Sequence, residues 1–366
     1  MASAAQRRIK SISYAKYGYL FILPFFIVYG FFQLWPLIYT FILSLYGNQS
    51  EVDKFVGLDN FKHLLFSTPY NKADIISSDS EVKAAAKAAM AFDVQHQDFL
   101  RTLKNTVILW IGNFIPQIAL SLSLAVWFTD AKLKIPGKGF FKVIMYMPNI
   151  ITAASVSVLF LQLCADTDYG ALTLLGRQSG LLSDGEFFNL TKQNSVWGPR
   201  VVVMFIQTWM WFGNTMIMLM SGIMGINPSL FEAASIDGAS GGQVFRKITV
   251  PLLSPILVYT IVTSMIGGLQ MFDIPYLFTT SKEGVPLENI ETIAVYIYRK
   301  FHSGSVLPSY GYSGAASVLL FIITIALGAI IFHINRDTDE IAKKKQRKKM
   351  AKQLKSQNKQ FGGLSI

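Results

Sequence analysis

EAASIDGASGGQVFRKITVPLLSP, residues 232–255, is a polar, charged, glycine-containing stretch between two runs without formal charge. One run extends from Val201 to Phe231 and the other from Ile248 to Phe272. A loop of that composition between two apolar runs is built to be gripped from the water side. Working outward from it, six charge-free runs lie within Tyr19–Leu45, Thr106–Phe128, Val143–Cys164, Val201–Met224, Leu252–Met271 and Gly311–Phe332. About 20 such residues span the hydrocarbon core as a helix. In lipid each must be helical, because an unpaired backbone amide there costs several kcal/mol. The chain is 52% hydrophobic yet carries a net charge of +11, which fits apolar residues in lipid and cations at its edge. Buried helices of a soluble protein would leave all six runs unexplained. The sequence predicts an all-α integral membrane protein with six transmembrane helices.

The basic residues set its orientation. Arg7, Arg8, Lys10 and Lys16 precede the first span, and Lys132, Lys134, Lys138 and Lys142 lie between the second and third. Arg246 and Lys247 follow the fourth, and a basic run at 343–355 follows the sixth. The alternate loops are mixed or acidic, with Asp53, Asp59, Asp74, Asp79, Glu81, Asp93 and Asp98 in the first. Both termini are therefore expected in the cytoplasm of a multi-pass protein. The first apolar run is far longer than a signal-peptide core and reads as a retained span. Cys164, the single cysteine, cannot form an intrachain disulfide and is expected to pack as a small hydrophobe. The basic run has no aromatic for base stacking, so it reads as a solvated helix touching anionic headgroups rather than nucleic acid.

The chain divides into a cytoplasmic segment (1–16), a membrane domain (17–335) and a basic cytoplasmic tail (336–366). The membrane domain includes an extracytoplasmic insert (47–100). Within that insert Ser80–Met90 is rich in alanine and lysine and predicts a helix, and Phe55–Phe61 predicts a compact turn. Pro24, Pro36, Pro116 and Pro148 favour kinks. At Pro148-Asn149 the kink either serves packing or frees carbonyls to line a cavity.

In the charged loop Asn227-Pro228 is a helix start, and Asp237-Gly238 stops that helix at a residue that tolerates a left-handed turn. Ser240 and Gln243 have capping-box spacing, so a second short helix runs through Phe245 and Ile248 until Pro251 and Pro255 restart the chain. Ala233 and Ala234 would admit a partner surface, Glu232 would meet a basic group, and Phe245 and Ile248 would tether the loop to its bundle. An ordinary interfacial loop with two capped helices remains the alternative on chemistry alone.

Glu232-Ala233-Ala234, Asp237-Gly238-Ala239, Phe245, Ile248 and Pro251 resemble the EAA loop of membrane permease subunits of binding-protein-dependent type I ABC importers. Phe55–Phe61, Asn105-Thr106, Met147-Pro148-Asn149, Gly311-Tyr312 and Ala315-Ala316 resemble the sugar-permease branch with its maltose-permease-like fold. The likeness covers Tyr17 to Asn335, outside about Leu64 to Phe99. Two departures stand out: Val250 replaces the usual leucine, and Thr280–Pro286 replaces a Thr-x-Gly-Gly-Pro turn.

The resemblance implies a coupling-helix loop at 227–251, docked into a separate cytoplasmic ATPase. Its coupling residues would be Glu232, Ala233, Ala234, Asp237, Gly238, Phe245, Ile248 and Pro251. It also implies a second homologous permease as a heterodimer, two ATPase copies and an extracytoplasmic solute-binding protein in a prokaryotic cell membrane. The chain lacks G-x-x-x-x-G-K-[ST], so ATP and magnesium would be bound by the partner ATPase, and no cofactor is expected in this chain.

The cargo implied is a sugar or oligosaccharide. Trp209, Trp211, Asn214, Ser264, Gln270 and Asp273 are the pathway candidates, as aromatic faces and hydrogen-bonding groups on the fourth and fifth spans. The competing reading is an ion-coupled secondary transporter, but ionisable groups in the spans are scarce: Asp273 and His333 lie at span ends. A membrane-embedded transferase is disfavoured by scattered histidines (His63, His96, His302, His333) and no paired carboxylates on a span. No metal site and no enzymatic activity are expected.

Overall fold

The computed structural model describes residues 4–48, 54–77, 79–130, 133, 135–188, 190–191, 195–280, 287–302, 309–334 and 350. Asp53, Lys132, Lys134, the 281–286 part of the departing turn, Asn335 and, Met350 apart, the tail 336–366 lie outside them. The described residues are mostly helical, and the one strand-like pairing among them is an isolated bridge between Tyr46 and Phe55.

Five helices are long and apolar enough to cross a membrane, and a bent helix pair makes a sixth apolar segment. The first crossing combines α1 (Ala4–Tyr29), a π turn (Gly30–Leu34) and α2 (Trp35–Leu43) without a break. A second π turn, Phe245–Thr249, lies further along the chain, and both sit just ahead of a proline, Pro36 and Pro251. Proline lacks the amide an α turn needs and crowds the carbonyl four residues back. A wider turn absorbs both faults without breaking the helix.

The Phe55–Phe61 turn leads into α3 (Asp59–Leu65) and anchors it. Buried Asn60 donates to the carbonyls of Ser44 (2.9 Å) and Tyr46 (2.7 Å) and accepts from Asn48 (2.8 Å). Asn48 in turn accepts from the Tyr312 amide at 2.9 Å. Two asparagines thus tie the end of the first crossing to the start of the last.

Two spans differ from expectation. The Ser80–Met90 helix is not separate from the second crossing: both belong to α4 (Ser80–Thr129), 50 residues long and capped by Asp79. Nothing between Met90 and Thr106 breaks a helix, so the insert's helix simply continues into the crossing. The third run, Val143–Cys164, is not one straight span. It is α5 (Lys138–Tyr146), a 3-10 turn (Met147–Ile150) and α6 (Ala153–Leu163), bent by 94°. Pro148 is buried in the bend, and Thr152 restarts the helix by capping Ser155. The bend packs against α8 (Trp197–Met224), where a Cβ on Gly213 would strike the Met145 carbonyl. The kink therefore serves packing. Cys164 is buried in the adjoining apolar cluster, as a small hydrophobe would be.

After α7 (Ala171–Gln178), α8 lies along α4 in the most extensive pairing of the bundle. Lipid is as apolar as leucine, so association there relies on close packing and polar links rather than a hydrophobic drive. Within the apolar stretch three such links join the pair: Gln117 Nε2 to Thr215 (2.8 Å), Ser121 Oγ to the Phe212 carbonyl (2.7 Å) and Thr208 Oγ1 to the Asn113 carbonyl (3.0 Å), and a fourth joins Arg200 to Asn105 at one end (2.7 Å). At about 0.6 kcal/mol each the first three fix register more than they add stability. Between them pack Leu124, Ala125, Met216 and Leu219.

The chain then forms α9 (Pro228–Ile236), α10 (Gly241–Val244), the second π turn and α11 (Val250–Leu269). Pro251 and Pro255 do not restart it: Gly241–Phe278 reads as one apolar helical segment, with α10 as its first turn. The short helices α12 (Asp273–Thr280), α13 (Leu287–Ile290) and α14 (Ile293–Phe301) precede the last crossing, α15 (Tyr310–Ile334).

Gly213→Ala should lower stability in detergent by about 1–3 kcal/mol, because the Met145 backbone must move aside. Gly328→Ala meets nothing within 4 Å and should leave the melting temperature unchanged. Equal melting of the two variants would contradict this packing.

Candidate functional site

Two features stand at opposite ends of α11. The first is the elbow at 227–251. Asn227 Oδ1 accepts from the Ser229 amide at 3.1 Å, with Pro228 in the first helical turn. At the other end Ala239 N–H donates to the Ala234 carbonyl (2.9 Å) and Gly238 N–H to that of Ser235 (3.2 Å). This is a Schellman closure, and Gly238 has the left-handed φ of +72° it requires. The Ser240–Gln243 capping box is present in both directions, at 2.7 and 3.4 Å. Every turn of the elbow is fixed by local hydrogen bonds.

Glu232, Ala233, Asp237 and Gly238 are exposed, as is Pro251. Phe245 and Ile248 are half-buried, and Phe231 packs against the cluster holding Leu253 and Met220. Ala234 departs from expectation. It is only 8% exposed, on the inward face of α9, so it admits no partner surface. In its place stands Ile236, 87% exposed, which sequence reading passed over. It lies four residues after Glu232 and so shares its outward face of α9.

The second feature is a cavity of about 420 Å³ between α4, α8 and α11. Trp211, Asn214, Ser264, Gln270 and Asp273 all line it. Trp209 does not: its ring meets the edge of Phe160 at 5.6 Å. Positions 207, 211, 214 and 218 share one face of α8, and 209 lies roughly opposite. Sequence reading missed Trp110, Asn113, Gln117 and Gln207, which also line the cavity. Trp110 donates its indole N–H to Ser264 at 3.2 Å, presenting a ring with its polar edge satisfied. Asp273 is the one formal charge in the lining. A larger, open recess of about 780 Å³ near Asn60 lies elsewhere, and its polar groups are largely paired with one another.

Beyond the cavity, at the end away from the elbow, a buried polar knot joins four elements. Asn105 donates to the carbonyls of Glu288 (2.9 Å) and Glu291 (3.2 Å) and accepts from Arg200 (2.7 Å). Arg200 also donates to the Asn289 carbonyl at 2.9 Å and lies over the Trp197 ring. Thr106 accepts the Ile293 amide (2.9 Å), and Thr292 reaches back to the Met271 carbonyl (2.6 Å). Glu291 pairs with Arg101 (3.1 Å) and Arg299 (3.6 Å). Burial pushes its carboxyl above the ordinary value, against the pull of both arginines. The Asn105-Thr106 pair thus pins α13 and α14 onto α4 and α8.

The family described as "Binding-protein-dependent transport system inner membrane component" matches residues 106–338. A lactose transport system permease protein of Rhizobium radiobacter is 26% identical over 92% of this chain and 99% of its own. An arabinooligosaccharides transport system permease protein of Bacillus subtilis is 25% identical, covering 90% and 92%. An sn-glycerol-3-phosphate transport system permease protein of Agrobacterium fabrum is 28% identical, covering 86% and 92%. Among solved structures, a bacterial ABC transporter involved in import of the acidic polysaccharide alginate has the same fold. Its TM-score is 0.68 at 21% identity, over 90% of this chain and 98% of that one.

Asn105→Leu should destabilise the protein by about 1.5–3 kcal/mol, because it strands the Arg200 guanidinium and two buried carbonyls. Adding Arg200→Met should cost less than the two single changes summed. Strict additivity in detergent melting would show that the two residues do not act together.

Proposed function

This chain belongs to the binding-protein-dependent transport system inner membrane component family, and from that premise we propose that it is one permease subunit of an ATP-driven sugar or oligosaccharide importer. The observation that carries the coupling mechanism is continuity: the helix runs from Gly241 through the π turn to Leu269, starting at the elbow and reaching the cavity wall. A push on α10 is delivered through the π turn and along α11 to Ser264 without a break in the helix. Glu232, Ala233 and Ile236 form the outward face that an ATPase would grip. Phe245 and Ile248 hold the elbow to the bundle, and Gly238 with Asp237 fixes its bend.

In this reading the elbow and both termini lie in the cytoplasm, as the basic residues at that side require. A second, homologous permease supplies the other half of the pathway, two ATPase copies bind ATP and magnesium, and an extracytoplasmic binding protein delivers the solute. The chain itself holds no cofactor and performs no chemistry. The sugar class is supported by matched permeases named for lactose and arabinooligosaccharides. It is also supported by a cavity that sets indole faces beside amides and hydroxyls. The two indoles are those of Trp110 and Trp211.

Among the described residues, an ion-coupled carrier would have only the Asp273 carboxylate in the lining to run on. Gradient-driven uptake by this chain without partners would replace the proposal with that one.

Glu232→Lys is expected to abolish ATP-dependent uptake and co-purification of the ATPase while the chain still inserts in the membrane. Ile236→Ser should weaken the same association. Uptake by Glu232→Lys at the wild-type rate would remove the elbow from the mechanism.

A further inference from the structure

Four aromatic rings form a ladder from the cavity towards the end of the bundle away from the elbow. Phe272 lines the cavity and stacks on Tyr276 with ring centres 4.9 Å apart. Tyr298 packs edge-on against both, at 5.1 Å from Phe272 and 5.0 Å from Tyr276. His302 stacks on Tyr298 at 4.3 Å and is exposed. The ladder is built from two i,i+4 pairs, one at the start of α12 and one on α14, so each helix presents its rings on a single face.

These rings are not the core. The core face of α14 is made by Ile293 and Tyr296, which are 1% and 2% exposed, whereas Phe272, Tyr276 and Tyr298 are half-buried.

We propose that this ladder is a stacking path along which a neutral saccharide of several rings passes between the outer mouth and the cavity. The inference rests on the sugar-importer reading above and narrows its substrate class. A pyranose or furanose ring carries an apolar C–H face that lies on an aromatic ring, while its hydroxyls stay free to hydrogen-bond. Several weak, adjacent platforms let a ligand enter without being trapped, as multi-site conduction requires. A single-ring solute gains one platform at a time, whereas an oligosaccharide occupies several together.

Charge decides against an acidic cargo. Among the described residues, the one charged side chain lining the cavity is Asp273, an anion. Among the described residues, the cations beside the ladder are turned elsewhere: Arg299 pairs with Glu291, and Lys300 lies over the Tyr296 ring at 5.3 Å. Among the described residues, none that lines the cavity would balance an oligouronate.

The test uses the complete transporter in proteoliposomes with its own binding protein, so that the latter's preference cancels between variant and wild type. The probes are mono- to tetrasaccharides of glucose, galactose and arabinose, and an oligouronate of matched length. Tyr298→Leu keeps the bulk and removes the platform. It should raise the half-saturating concentration about tenfold for tri- and tetrasaccharides and under about twofold for monosaccharides. Tyr298→Phe should stay within about twofold of wild type, and Tyr276→Leu should repeat the length dependence. Equal loss at every length would make the rings a packing brace or a contact with the second permease, and would overturn the proposal. Oligouronate uptake matching the neutral chain would overturn it too. Uptake of no saccharide at all would refute the sugar reading itself, and the ladder's role with it.

Discussion

The guanidinium of Arg200, taken out of water and shared between Asn105 and the Asn289 carbonyl, is the interaction on which the arrangement rests. Among the described residues it has no counter-ion, and a rigid backbone carbonyl, one amide oxygen and the face of Trp197 stabilise it instead. The same amide spends its donors on the carbonyls of Glu288 and Glu291, which would otherwise be buried without partners. Because Asn105 lies on α4, Arg200 on α8 and the carbonyls between α12 and α14, no one of these elements can shift alone. The cavity walls inherit that constraint, since α4 and α8 form two of them and Met271, held by Thr292, belongs to a third.

The opposite end is constrained differently. The elbow's order comes from local caps: an Asx contact, a Schellman closure and a capping box, all within a few residues. Local order of this kind does not require α9 to be deeply embedded, so its outer face stays free for another protein. One end of the bundle is locked by long-range polar contacts, and the other is stiff yet available. Helix α11 connects them, and the π turn at 245–249 joins it to the elbow.

What was legible in the sequence followed from short-range rules. Charge-free runs located the crossings, because lipid forbids formal charge and free backbone over that length. The elbow's caps were legible because Asn227, Gly238, Ser240 and Gln243 act on neighbours two to five residues away. Four of the five cavity residues read from α8 and α11 to the start of α12 are polar, a rarity that marks an interior face. The rest depended on partners distant in sequence. The 94° bend needs Gly213 to receive the Met145 carbonyl, and nothing near Pro148 reveals that. Trp209 and Trp211 look alike in composition, and only the turn of α8 separates a packing ring from a lining ring. Ala234 and Ala233 differ in the same way. Asn105-Thr106 was recognisable as a motif, but its reason, the buried arginine 95 residues away, required the fold.

Helix α4 carries a consequence of its own. Fifty residues of unbroken helix measure about 75 Å, against about 30 Å of hydrocarbon. More than half of the shaft must therefore stand clear of the lipid. Its one proline, Pro116, lies well down the shaft, so a small sideways displacement near Ser80 is carried as a tilt of the rod as far as Asn113 in the cavity wall. Whatever leans on the mast above the surface turns a wall of the chamber beneath it.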